Sequence, residues 1–241
     1  MGMYFADVHC HILPCVDDGA SSMREAVAML QMEYRQGVRT VLLTPHYRRG
    51  YFETSRQTVR EQFARLCRIM AQDIPDMQLY LGCELYRQNE MGRLLESDSS
   101  YCIAGTKYVL IEFMPGDLAD TIWRCVGELL IDGYRPVIAH AERYRALRDM
   151  KFIRRLVDSG VYIQMNAGSI LGECGWSTKH FCSRLLKEGY VHLIGSDAHH
   201  TDRRMPCIGP CAEYLRKKFG EREMERLLTE NPRAMLAGEY I

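Results

Sequence analysis

Asp7-Val8-His9-Cys10-His11 closes the first apolar run of the chain. Successive residues of a strand point to opposite faces, so His9 and His11 are expected to aim their imidazoles the same way. Asp7 should share that face, as a third ligand or as an orienter. Two aligned imidazoles make half of a metal site. A lone His-x-His is common without a metal, so its meaning depends on what ends the other strands.

Outward from this stretch, short apolar runs alternate with helical patterns seven times. Residues 4–9 read as a strand, followed by a loop that carries Asp17-Asp18-Gly19. Ser21 or Ser22 can cap a helix to about residue 36, with Ala26, Leu30 and Tyr34 on one face. The run 38–44 ends in Pro45-His46. Thr54 is expected to cap a helix to about residue 71, on Val59, Phe63, Leu66 and Met70. The runs 77–83, 108–111, 136–139, 161–165 and 191–195 end in Glu84, Glu112, His140, Asn166 and Ser196-Asp197-Ala198-His199. Helices are expected near 91–96, 118–132, 150–159, 178–188, 207–219 and 221–229, with a last turn after Pro232.

No linker, repeat or low-complexity tract interrupts this order, so residues 1–241 read as a single domain. Short β-branched runs bounded by turn residues suit parallel strands buried on both faces. An open doubly wound sheet would satisfy the alternation too. A closed barrel fits better, because it gathers all strand C-termini on one rim, where active sites are built.

On that rim would meet His9, His11, His46, Glu84, Glu112, His140, Asn166, Asp197 and His199. Five of the eight histidines are among them; His180, His192 and His200 are not. Each alone has an ordinary reading, such as a turn histidine or an ion-paired glutamate. Their common position at strand ends favours a metal site. Five imidazoles and three carboxylates exceed the needs of one ion and suit two or three divalent ions. Nitrogen and oxygen donors without thiolates fit Mn, Fe, Zn, Co or Mg. Arg143 and Arg204 follow His140 and His199 closely and can fork two phosphoryl oxygens. Arg48, Arg49 and Arg203 read as solvated surface, and Tyr51-Phe52 as a packed loop or an aromatic rim.

Composition excludes several classes. Lys+Arg and Asp+Glu each total 31, so bulk charge argues for neither nucleic acid nor a membrane surface. No apolar run reaches the length of a membrane span. The ten cysteines are scattered without a C-x-x-C pair; Cys10, Cys67, Cys83, Cys102, Cys125 and Cys182 read as small core residues, Cys207 and Cys211 lack the partner pair a zinc site needs, and reduced thiols of a cytoplasmic protein are expected. Cys10 should face the packing between strand and helices. No cysteine has an arginine six positions on, which argues against a phosphocysteine mechanism.

The stretches Asp7-x-His9-x-His11, Asp17-Asp18-Gly19, Thr44-Pro45-His46, Gly82-Cys83-Glu84, Ile111-Glu112-Phe113, His140-Ala141-Glu142-Arg143-Tyr144, Gln164-Met165-Asn166, Ser196-Asp197-Ala198-His199 and Asn231-Pro232-Arg233 resemble the polymerase-and-histidinol-phosphatase (PHP) superfamily. Within it they look like the bacterial manganese-dependent protein-tyrosine phosphatases of capsule and exopolysaccharide operons. The resemblance implies a distorted (β/α)7 TIM-like barrel with two or three metal ions, Mn2+ foremost. Its metal ligands fall on His9, His11, His46, Glu84, Glu112, His140, Asp197 and His199. Its phosphate-binding arginines fall on Arg143 and Arg204, and Asp18 matches an aspartate of its site. Pro45 departs from the small polar residue frequent in relatives. The implied substrate is a phosphotyrosine protein, such as the tail of a bacterial tyrosine autokinase.

The chemistry expected of such a site is in-line attack on phosphorus by a hydroxide bridging two ions. Competing readings are a phosphatase for a small ester such as histidinol phosphate, and a catalytically silent regulator. An amide-hydrolysing barrel would need a lysine on a strand end, and none stands there. Oligomeric state is not legible.

Overall fold

The computed structural model describes residues 4–241. Along them run β1 (Phe5–Cys10), α1 (Met23–Arg35), β2 (Val38–Leu43), β3 (His46–Tyr47), α2 (Arg56–Asp73), β4 (Gln78–Leu81), β5 (Glu84–Tyr86) and α3 (Met91–Ser97). There follow β6 (Tyr108–Glu112), α4 (Ala119–Ile131), β7 (Arg135–Ile138), α5 (Met150–Asp158), β8 (Tyr162–Asn166), α6 (Ala167–Leu171) and α7 (Trp176–Lys187). The chain closes with β9 (Leu193–Gly195), α8 (Ile208–Phe219), α9 (Glu221–Glu225) and α10 (Asn231–Leu236).

Every strand pairing is parallel, in the orders β1-β2-β4 and β3-β5-β6-β7-β8-β9. The two sheets are one curled sheet broken in two places. β2 and β3 are parts of one line interrupted at Thr44-Pro45; β4 and β5 are interrupted at Gly82-Cys83. Pro45 has no N–H to give the ladder. Across the gap Gly82 N–H donates to the Leu43 carbonyl (2.8 Å) and Glu84 N–H to that of Pro45 (3.1 Å). The sheet ends meet where Cys10 bridges Ala198. There Asp197 N–H donates to the His9 carbonyl (2.7 Å) and His11 N–H to that of Ala198 (2.8 Å). The result is the distorted TIM-like α/β barrel expected, with each sequence-read strand in place.

Two apolar layers follow from the pleat. Ala6, Val8, Leu42, Tyr108, Leu110, Val137, Ala139, Tyr162 and Leu193 fill the lumen, and Met235 of α10 plugs its floor. The larger layer lies between sheet and helices and includes Cys10, Met29, Leu30, Leu43 and Ile111. Asn231, at the start of α10, donates from its side chain to the His192 carbonyl (2.8 Å), tying the floor to the strand before it.

Along β1 the pleat changes phase. The pairing with β2 slips between Asp7 and Cys10. Val8 faces the lumen, yet His9 and His11 turn to the mouth and Cys10 to the outer layer. A bulge re-aims side chains in this way, frequently beside a functional site. It corrects the expectation for Asp7, which stands behind the histidines rather than among them. Asp7 accepts hydrogen bonds from the Ser196 N–H (2.8 Å), the Ser196 hydroxyl and the His9 N–H (3.2 Å).

Glycine is demanded at two contacts of this region. A Cβ on Gly195 would lie 2.4 Å from His9 Cβ, and one on Gly19 would lie 1.9 Å from the His11 carbonyl oxygen.

Elsewhere the differences are local. Ser55, not Thr54, caps α2, accepting from Thr58 N–H (3.1 Å), while the Thr54 hydroxyl donates to the Val16 carbonyl (2.7 Å). The helix expected over 221–229 ends as α9, and a π-type turn over Arg226–Glu230 leads into α10. Short α6 went unread. Among the described residues no helix is long and apolar enough to cross a membrane. All ten cysteines are free thiols.

Candidate metal centre

The barrel mouth brings together all eight expected ligands. His9 ends the bulge of β1, and His11 follows it. His46 opens β3, Glu84 opens β5 and Glu112 closes β6. His140 follows β7 in a left-handed conformation (φ 32°), as does Asp197 after β9 (φ 55°). L-residues pay for that region in strain, so both are held by what surrounds them.

Glu84 is the hub. Its Oε2 lies 3.0 Å from His46 Nδ1, 3.1 Å from His11 Nε2 and 3.2 Å from His9 Nε2. Its Oε1 lies 2.7 Å from His140 Nε2. Glu112 stands further off, 3.7 Å from His140 Nε2 and 3.8 Å from His46 Nδ1. Asp197 Oδ1 is 3.5 Å from His11 Nε2 and 3.8 Å from His9 Nε2. Three compact donor groups result: His9, His11 and Glu84; His46, Glu84 and Glu112; and His11, Asp18, His46 and His199. Asp18 therefore joins the donors, 3.7 Å from His46 Nε2 and 3.6 Å from His199 Nε2, with half its side chain exposed.

Hydrogen bonds decide which nitrogen each imidazole shows the mouth. Gln164 Oε1 accepts the His140 backbone N–H (2.6 Å), so that atom is an acceptor, and the proton between it and His9 Nδ1 (3.2 Å) belongs to His9. Asp17 Oδ2 accepts from His11 Nδ1 (2.7 Å) and from His46 N–H (2.9 Å). The Asp197 carbonyl accepts from His199 Nδ1 (2.9 Å). His9, His11 and His199 thus carry a proton on Nδ1 and turn Nε2 inward, whereas His46 turns its Nδ1 to Glu84 Oε2. The outward nitrogen of His140 meets the Tyr144 hydroxyl (3.0 Å), and Phe52 stacks on His46 with rings 5.2 Å apart.

These residues fit divalent cations. The inward Nε2 atoms of His9 and His11 stand 3.3 Å apart, and each lies within 3.2 Å of Glu84 Oε2. Glu84 Oε2 and His199 Nε2 are buried without a hydrogen-bond partner. Uncompensated lone pairs in a low-dielectric mouth repel one another unless a positive charge lies between them. Burial and the Glu84 charge push the Glu112 carboxyl up to about 7. Burial would raise Glu84 as well, but His9, His46 and His140 hold it well below the usual carboxylate range. Burial and Arg143 push His140 down to about 4, leaving it a neutral donor.

The arginines are at the mouth. Arg143 donates to Asp197 Oδ2 (2.6 Å) and Arg204 to Asp197 Oδ1 (2.7 Å), each with its side chain more than a third exposed. Asn166, read only as a strand-end residue, donates to the same Asp197 Oδ2 (2.7 Å). Gln164, Asp17 and Tyr144 received no separate role from the sequence. All three stood inside quoted motifs, Gln164 on the face of β8 that the pleat turns inward.

A family model described as capsular polysaccharide synthesis, CpsB/CapC, matches residues 5–237. The tyrosine-protein phosphatase CpsB of Streptococcus pneumoniae is 34% identical over 241 residues, covering 98% of this chain and 99% of its own. A crystal structure from work on YwqE of Bacillus subtilis and CpsB of Streptococcus pneumoniae, described as unique metal-dependent tyrosine phosphatases, superposes with a TM-score of 0.90. It is 32% identical and covers 98% of this chain and 96% of its own. The phosphotriesterase of Mycobacterium tuberculosis shares the fold alone: TM-score 0.63, 12% identity, 97% and 94% covered.

Proposed function

The chain belongs to the CpsB/CapC family of capsular polysaccharide synthesis, and on that premise we propose that it is a metal-dependent protein-tyrosine phosphatase. The observation that carries the reading is the convergence of His9, His11 and His46 nitrogens on the buried Glu84 Oε2, which has no hydrogen-bond partner. His9, His11, His46, Glu84, Glu112, His140, Asp197 and His199 would hold two or three divalent ions, Mn2+ in the first instance. Asp18 lies among three of these nitrogens, which supports a role in holding an ion beside His11, His46 and His199. When bound, such ions supply Lewis acidity, which acidifies a water near neutral pH and draws charge from phosphoryl oxygens.

The rest is done by the chain's own groups. Arg143 and Arg204 share Asp197 as their anchor, which holds both guanidinium groups at the mouth where equatorial phosphoryl oxygens gather charge. Gln164 and Asp17 keep the histidine tautomers fixed, so no reorganisation is needed when substrate arrives. A phenolate leaves readily, with an ordinary tyrosine pKa of about 10, so a strong acid at the leaving oxygen is less needed than for an alkyl ester. Free thiols throughout support a reducing compartment, the cytoplasm, with a bacterial tyrosine autokinase as the substrate protein.

The test is purified protein with Mn2+, given a phosphotyrosine peptide and histidinol phosphate side by side. Preferential release of phosphate from the peptide is expected. Much faster turnover of histidinol phosphate would overturn the tyrosine-phosphatase reading.

A further inference from the structure

β3 and β5 pair in register, His46 with Glu84 and Tyr47 with Leu85. The next inward-facing residues on those two lines are Arg48 and Tyr86, one pleat beyond the ligands and roughly 7 Å further out. The Arg48 guanidinium lies over the Tyr86 ring at 4.1 Å and over the Tyr51 ring at 4.2 Å. Tyr51 is 73% exposed, so this layered group borders the open mouth. It is also fixed. Arg48 and Phe52 exchange backbone hydrogen bonds (2.9 and 2.8 Å) across a turn at Gly50 (φ 80°), and Phe52 stacks on His46.

Arg48 differs from Arg87, Arg143 and Arg204, the carboxylate-paired arginines near the site. Arg143 and Arg204 are paired with Asp197, and Arg87 is forked onto Asp117 at 2.9 and 3.1 Å. Among the described residues the Arg48 side chain has no carboxylate partner. Stacking on two ring faces holds a guanidinium flat and leaves its in-plane N–H donors available. A phosphotyrosine with its phosphate among the ligands carries its backbone out to this tier.

We propose that Arg48, held between Tyr51 and Tyr86, is a second anion-binding position, which takes a carboxylate or a second phosphate on a residue flanking the phosphotyrosine. The proposal rests on the phosphatase reading and adds to it a preference among sequences. It replaces the expectation that Arg48 is merely solvated surface.

The experiment measures fluorescence anisotropy of Mn2+-loaded protein with three labelled peptides carrying a non-hydrolysable phosphotyrosine mimic. They are flanked by Asp, by Asn, or by a second mimic. Wild type is expected to bind an anionic-flanked peptide about five-fold tighter than the Asn peptide at low salt. Arg48→Ala should lose that preference, and Tyr51→Ala should lose part of it while keeping the charge. The Asp and second-mimic peptides report which source of the anion is favoured. Absence of a preference in wild type, or an undiminished one in Arg48→Ala, overturns the proposal. So does an equal loss of kcat/KM on p-nitrophenyl phosphate and on the matching phosphotyrosine peptides, which would make Arg48 general machinery. Failure of metal-loaded wild type to hydrolyse any phosphotyrosine peptide refutes the phosphatase reading separately, since the anisotropy still measures the position itself.

Discussion

Glu84 and Glu33 are both fully buried carboxylates, and both own oxygens without a hydrogen-bond partner. Their states are opposite. Glu84 faces four imidazoles across the mouth and stays an anion. Glu33 projects from α1 toward Asp7, behind the β1 bulge; burial pushes its carboxyl well up, and the Asp7 charge pushes it further. A buried acid is therefore no signature of a cation site. What marks one is the set of donors aimed at it, and among the described residues only the mouth supplies these.

The comparison breaks most visibly at Glu84. Glu84→Gln or His9→Ala should lower metal-supported turnover by about a thousandfold or more, because each removes an ion-holding donor from the group. Cys10→Ser, one residue from His9 but packed in the outer layer, should stay within about two-fold of wild type. Steady-state kinetics with Mn2+ checks all three; equal losses at His9 and Cys10 would end the assignment of Cys10 as a bystander.

A second, smaller effect sits behind the donors. Gln164→Leu keeps every ligand but frees the His9 tautomer, and metal affinity should drop by roughly 10- to 100-fold. Titration calorimetry reads the affinity. Nitrogen NMR of the metal-free protein reads the ring protons, and the share of His9 with its proton on Nδ1 should fall. An unchanged histidine spectrum would contradict the role of Gln164.

The smallest effect is expected at Glu33. A protonated acid and an amide have nearly the same shape, so Glu33→Gln should alter turnover little. Its stability should depend less on pH. In wild type the unfolded chain releases the Glu33 proton near the ordinary value of 4.5 while the folded chain keeps it. The unfolded state then binds fewer protons, so this contribution to stability falls as pH rises above 4.5 toward the raised folded value. Glu33→Gln should flatten that decline in denaturant titrations. A steep loss of stability at every pH would instead mean an ionised, paired Glu33.

Most of the mouth was legible because a parallel barrel turns sequence position into spatial position. A donor at the end of each short apolar run must face the same rim, so the order of the sequence alone sets His46, Glu84, Glu112, His140 and Asp197 together. What escaped depends on departures from regular pleating. The bulge that sends Asp7 away from His9 leaves no mark in an apolar–polar pattern. The break at Thr44-Pro45 is visible in the proline, whereas that at Gly82-Cys83 reads as unbroken strand. Helix α1 packs Ala26, Leu30 and Tyr34 on the core as their spacing implies, but it also buries Glu33, a residue whose burial depends on a neighbour 26 positions earlier on another element. Gln164 and Asp17 act through ring nitrogens, and tautomers have no sequence signature.

The two glycines pressed against His9 and His11 carry a consequence for anyone reading natural variants of this gene. A substitution at Gly195 or Gly19 would displace the backbone of a ligand-bearing strand while leaving every donor, arginine and orienter spelled correctly. Competence in a relative is thus not certified by an intact list of ligands. Two residues with no functional group act as spacers at the barrel's seam, and an inactive allele can differ from an active one by a single methyl.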